Sequence, residues 1–247
     1  MITSPFGKPV LTAEWRHLAL LNYEIDSEIL RPWVPRGTEV DSFTDKTFVS
    51  MVGFRFEKTR VMGLAIPFHQ NFEEINLRFY VRRKAEDGWR RGVVFIKEIV
   101  PRPAIAWVAR WLYNENYVAL PTGNALLRSP GDPTNLESVK YFWTLHKRAQ
   151  FLEVVTAGAP NNFVAGSAEE FIAEHYWGYS AQRGGGTVEY RVDHPTWRIW
   201  QARSARLECD VTALYGAEFA EVLRAAPSSA FVAEGSAVTV YRGRRIV

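Results

Sequence analysis

The sequence predicts an α+β chain that is mostly β, an antiparallel sheet or barrel interrupted by a few short helices. Three observations predict it. Segments rich in apolar and β-branched residues recur along the chain, no strand–helix alternation of the parallel α/β kind appears, and the helical signals are short. No internal repeat, low-complexity stretch or Pro/Ser-rich linker divides the 247 residues, so a single domain over 1–247 is expected.

The strands are read in order as Trp15 to Ile25, Thr47 to Glu57, Glu73 to Arg83, Val93 to Val100, Val139 to Lys147, Phe151 to Thr156, Thr187 to Val192 and Trp197 to Val211. Three helices punctuate them. Asp26 caps a turn or two bearing Ile29 and Leu30, which Pro32 and Pro35 stop. Pro103 suits the first position of a second, with Ile105, Val108, Ala109 and Leu112 as its apolar stripe. Ser167 and Glu170 form a capping-box pattern at the head of a third, which sets Phe171 over His175. Gln182 to Gly186 is glycine-rich but joins two strand-like segments, so it reads as a hairpin turn and not as a phosphate cradle.

Composition excludes several function classes. Hydrophobic residues at 47% and charged residues at 23% are globular values and leave no room for disorder or a coiled coil. The longest purely apolar run is the six residues from Ala104 to Ala109, against roughly 20 needed to span a bilayer, so no membrane partner is expected. The first residues carry no apolar core of a signal peptide, and a cytoplasmic location is expected. The basic groups Arg82-Arg83-Lys84, Arg90-Arg91 and Arg242 to Arg245 are short and scattered, and a net charge of +3 does not make a nucleic-acid stripe. Cys209, the single cysteine, excludes an internal disulfide and reads as a buried, inert thiol. No two of the five histidines have metal-ligand spacing, and no cofactor is expected. Oligomeric state stays open, a homo-oligomer included. Aromatic residues, 14% of the chain with nine Trp, point to a deep core or a ring-walled cavity.

Chemistry concentrates on the strand Glu73 to Arg83. Alternation puts Ile75, Leu77, Phe79 and Val81 on one face and Glu74, Asn76, Arg78, Tyr80 and Arg82 on the other. That second face is either a wet outer surface or the lining of a lumen for a small polar ligand. Arg110, beside Trp107 and Trp111, is either a surface arginine packed on Trp or a carboxylate clamp at a pocket wall.

Four segments, Leu30 to Gly37, Glu74 to Val81, Glu170 to Tyr176 and His194 to Trp197, resemble the YqjF-like bacterial proteins, a family of unknown function. The likeness runs from about Trp15 to Ala205, with His175 standing where many relatives are expected to carry Arg. Through Ile25 to Pro35, Phe72 to Glu74 and Pro103 to Arg110, the chain is also distantly similar to acetoacetate decarboxylase. That resemblance implies a cone-shaped antiparallel β-barrel with a central cavity, a pocket glutamate at Glu74 and a pocket arginine at Arg110. It also places the decarboxylase's imine-forming lysine at Tyr117 and its neighbouring lysine at Val118. A tyrosine forms no imine, so Schiff-base decarboxylation is not expected.

The sequence reading is thus a small-molecule-binding barrel for a small organic acid. Glu74 and Tyr117 are its candidate acid–base residues, and Asn76, Arg78, Arg110 and His175 its candidate ligand contacts. Whether it is catalytic stays open. The alternative is a non-catalytic interaction or structural module, with a lumen plugged by side chains.

Overall fold

The computed structural model describes residues 8–107 and 115–247. Among these, fourteen strands join one sheet: β1 (Pro9–Ile25), β2 (Glu39–Val40), β3 (Thr47–Val61), β4 (Phe72–Ala85), β5 (Gly88–Val100), β6 (Tyr117–Ala119), β7 (Thr122–Ser129), β8 (Asp132–Leu145), β9 (Arg148–Asn161), β10 (Trp177–Ala181), β11 (Thr187–Asp193), β12 (Ile199–Glu208), β13 (Ser229–Tyr241) and β14 (Arg244–Arg245). The helices are α1 (Ser27–Leu30), α2 (described over 103–107), α3 (Ala168–Ala173), α4 (Val211–Leu214) and α5 (Ala220–Arg224).

Pairing returns on itself. The path β11-β10-β5-β4-β3-β1-β13 is closed by the contact of β13 with β11, where Val192 faces Val240. From β13 the sheet continues outward through β12, β9, β8 and β7. The expectation of an antiparallel sheet needs one correction, because β10 and β6 both run parallel to β5. Such joins need a long crossover, which the chain supplies between β5 and β10.

Alternation along β4 sorts two cores. Ile75, Leu77, Phe79 and Val81 face outward into a cluster with Val139, Tyr141, Trp143 and Leu152 of the outer strands and Leu214, Phe219 and Leu223 of the helical segment. Each large side chain fully buried there contributes roughly 1.5–3 kcal/mol. Gly53 on β3 permits this contact, because a Cβ there would lie 2.7 Å from the Tyr141 ring. The inner face carries a second cluster, including Phe54, Phe56, Phe72, Tyr80 and Trp197.

The caps behave as their residue types dictate. Asp26 accepts from the Glu28 amide at 2.9 Å, and Ser167 from the Glu170 amide at 3.2 Å. The capping box is not reciprocal, however: Glu170 accepts from the Gly166 amide instead, since the Ser167 amide is taken by the Val164 carbonyl. The hairpin at 182–186 joins β10 to β11. Strand β12 stops at Glu208, before the expected Val211, where Asp210 caps α4. Cys209 therefore lies just beyond the strand end, half-buried but packed against the outer core, and burial pushes its thiol up to about 12.

Candidate functional site

A cavity of about 270 Å³ lies within the strand circuit. Every strand of the circuit lines it: Trp15 of β1, Phe56 of β3, Glu74 of β4, Phe95 of β5, Trp177 of β10, Tyr190 of β11 and Val240 of β13. Its wall is largely aromatic. Trp15 meets Phe54 edge-on at 5.3 Å, Phe56 stacks on Phe72 at 4.6 Å, and His194 stacks on Trp197 at 4.2 Å.

Parity along β4 brings Glu74, Asn76 and Arg78 to this cavity as expected, and Tyr117 and His175 also line it. Arg82 leaves the set, pairing with Glu39 on the outside. Arg110, Val108, Ala109, Trp111 and Leu112 lie outside the described residues, so their expected placements rest on the sequence alone.

Glu74 is 3% exposed, and both its oxygens are occupied. Asn76 Nδ2 donates to Oε1 at 3.0 Å, and the Tyr117 hydroxyl donates to Oε2 at 3.2 Å. Burial pushes the Glu74 carboxyl up to about 7, while these two donors and Arg78 pull against it.

Two further carboxyls share the space, and sequence reasoning missed both. Glu98 of β5 is 1% exposed, hydrogen-bonds Tyr117, and leaves Oε2 without a partner. Burial, then Glu115 and Glu74, hold it well above the ordinary range. Glu115 accepts from the Tyr190 hydroxyl at 2.6 Å and is pushed up to about 8, first by burial. Three such groups cannot ionise together at neutral pH. The phenol has one proton for two carboxyls, so when it donates to Glu74 a protonated Glu98 can donate to the phenol oxygen, and the reverse.

A β-bulge explains why Glu98 was not foreseen. Leu77 faces Lys97, but Arg78 faces Phe95, so Ile96 is an extra residue on β5. The extra residue reverses parity, which turns Glu98 inward and sends Lys97 outward to donate to the Leu214 carbonyl. A glycine explains Tyr190. A Cβ on Gly178 would lie 2.1 Å from Cζ of Tyr190, so only glycine lets that ring cross β10 toward Glu115.

His175 stacks on Tyr80 at 4.8 Å, and its Nδ1 is 3.2 Å from the Ile172 carbonyl, which makes Nδ1 the donor. Nε2 is then a buried acceptor without a partner. Burial, with Arg91 and Arg78 nearby, holds the imidazole well below its ordinary range and hence neutral. The Arg78 Nη2 reaches the Ile172 carbonyl at 3.4 Å, and its Nε has no partner. None of the chain's seven lysines lines the cavity. Among the described residues, no group of three or more His, Cys, Asp or Glu is arranged to hold a metal ion. Nor is any described helix long and apolar enough to cross a membrane.

The fold is similar to that of acetoacetate decarboxylase-like structures. It superposes on the enduracididine biosynthesis enzyme MppR complexed with pyruvate with a TM-score of 0.70 at 14% identity, covering 98% of this chain and 94% of that one. The acetoacetate decarboxylase of Legionella pneumophila matches with a TM-score of 0.63 at 12% identity, over 99% and 92% of the two chains. By sequence the chain belongs to the DUF2071 family, described as an uncharacterized conserved protein, whose model matches residues 12–237. The uncharacterized protein YqjF of Bacillus subtilis (strain 168) is 32% identical over 88 residues, a stretch that spans 35% of this chain and 36% of that protein.

Proposed function

We propose that the chain binds a small organic acid in this cavity and that Glu74, with Tyr117, moves a proton on it. The closed strand circuit is then read as a cone-shaped barrel, and residues 1–247 as one domain built around it. The observation that carries the reading is Glu74 itself. It is a carboxyl enclosed in an aromatic-walled cavity, oriented by Asn76 and Tyr117 and titrating at about 7, where a general acid or base works best at neutral pH.

Arg78 supports an anionic ligand, because its guanidinium lines the cavity and its Nε is uncommitted. His175 offers Nε2 as a further contact. The resemblance adds Arg110 as a second cation. Pyruvate in MppR and the substrate in the decarboxylase's name are small keto acids, in keeping with this ligand class. The chemistry differs from an imine mechanism, since Tyr117 occupies the lysine's place and no other lysine reaches the cavity. An open cavity of this size argues against a plugged structural module.

A thermal-shift screen of small organic acids tests the binding half. A ligand that binds only the folded state raises the midpoint, and the shift should vanish in Val93→Phe, which fills the cavity from β5. No shift from any acid, or shifts that survive Val93→Phe, would contradict the proposal.

A further inference from the structure

The cavity's unpartnered buried polar atoms include three acceptors, beside the donors Trp15 Nε1 and Arg78 Nε and the Thr59 hydroxyl. Oδ1 of Asn76, Oε2 of Glu98 and Nε2 of His175 are all buried without a partner, each on a residue lining the cavity. Asn76 donates one of its two amide N–H bonds to Glu74, and its Oδ1 and the Glu98 Oε2 are left without a donor. Buried acceptors left unpaired are costly, and a ligand bearing several N–H donors relieves that cost.

We infer that the carboxyl cluster of Glu74, Glu98 and Glu115, with Asn76, seats a protonated nitrogen of the ligand: an ammonium, amidinium or imidazolium group. The inference rests on the cavity being a ligand site. It deepens that reading, because an organic acid held at Arg78 that also satisfies the cluster must carry a basic nitrogen.

Three features favour a cation over a neutral donor. The cluster brings three carboxyls together, and Arg78 is the one cationic side chain among the described residues lining the cavity. A bound cation lets a carboxyl release its proton to solvent and gains a full charge–charge contact at low dielectric. The rings of Trp15, Phe54 and Phe72 line the same cavity, and aromatic surface tolerates a cation better than an anion. A metal ion is the wrong occupant, since the described side chains do not converge with metal-ligand geometry.

Three probes of one shape separate the outcomes: benzylamine, benzyl alcohol and benzoate, titrated calorimetrically into the wild type and Glu98→Gln. Benzylamine should bind at least tenfold more tightly than benzyl alcohol, and Glu98→Gln should erase that advantage. In the wild type, NOEs from the benzylamine methylene should reach the Tyr117 ring, a readout that does not depend on how the variant folds. If benzyl alcohol binds as tightly as benzylamine, or if Glu98→Gln leaves benzylamine binding intact, the inference fails, while benzoate binding keeps the cavity reading standing. If none of the three binds, both fall.

Discussion

The Tyr117 hydroxyl donates to Oε2 of Glu74 across 3.2 Å, from the position where the likeness to acetoacetate decarboxylase places an imine-forming lysine. The phenol is flanked on its other side by Glu98, which hydrogen-bonds it. An O–H donated to a carboxylate favours the ionised form, so Tyr117 holds Glu74 lower than burial alone would. Tyr117→Phe should therefore raise the Glu74 midpoint above about 7. One lost bond to a charged acceptor corresponds to about one pH unit. A carbon-13 titration of the labelled glutamate carboxyls reads this directly; an unchanged or lowered midpoint would show that the bond does not govern Glu74.

Gly178 makes a second, independent handle. Gly178→Ala forces a methyl into the Tyr190 ring, and overpacking of this kind costs roughly 1–3 kcal/mol. Displacing Tyr190 also removes the donor that holds Glu115 down, so Glu115 should titrate above its present value of about 8. Urea midpoints and the same carboxyl titration test both effects. A variant as stable as wild type, with Glu115 unmoved, would mean that the ring does not depend on the glycine.

Stability should fall as pH rises from 6.5 to 8. Glu74, Glu98 and Glu115 have folded midpoints raised above their unfolded values near 4.5, so the folded state binds more protons across this window. Their contribution is complete below pH 4.5 and is lost as pH climbs through the folded midpoints. His17, held at about 4, and His175 act in the opposite sense: their contribution is lost as pH falls below the ordinary imidazole value of 6.5. Unfolded imidazoles are half-protonated at 6.5 and mostly neutral by about 7.5, so the histidine term fades across the window. The carboxyl slope then dominates, at about 1.4 kcal/mol per pH unit for each carboxyl protonated only in the folded state. Denaturant unfolding at pH 6.5, 7.25 and 8 measures it, and Glu98→Gln should flatten it. A flat or rising profile would contradict the burial of these acids.

Borohydride added with a β-keto acid should trap no adduct on any lysine. Lys97 is the nearest in sequence to the cavity strands' polar residues, yet it donates to the Leu214 carbonyl on the far side of β5. Intact-mass spectrometry checks this, and a reduced adduct on Lys97 would show that the bulge does not hold.

Much of the cavity face was legible in the sequence because strand parity is local. Glu74, Asn76 and Arg78 follow one another at a period of two, and their placement needs only that the segment be a strand. Glu98 was hidden because a single bulged residue reverses parity within β5, and nothing in Val93 to Val100 marks Ile96 as that residue. Glu115 and Tyr190 were hidden because their contact joins segments 75 residues apart, across a glycine whose role shows only once β10 lies between them. Strand β13, which closes the circuit, was also unforeseen. Gly235 interrupts its pattern, and that glycine adopts φ +77° because a Cβ there would lie 2.0 Å from the Trp15 carbonyl oxygen.

Proton exchange at C3 of bound 2-oxo acids, the carbon next to the keto group, in D2O, followed by proton NMR, tests the central claim most directly. The account predicts exchange faster than buffer in the wild type and a loss of about 10²–10⁴-fold in Glu74→Gln, the usual contribution of a positioned acid or base. Exchange no faster than buffer, or unchanged in Glu74→Gln, would contradict it.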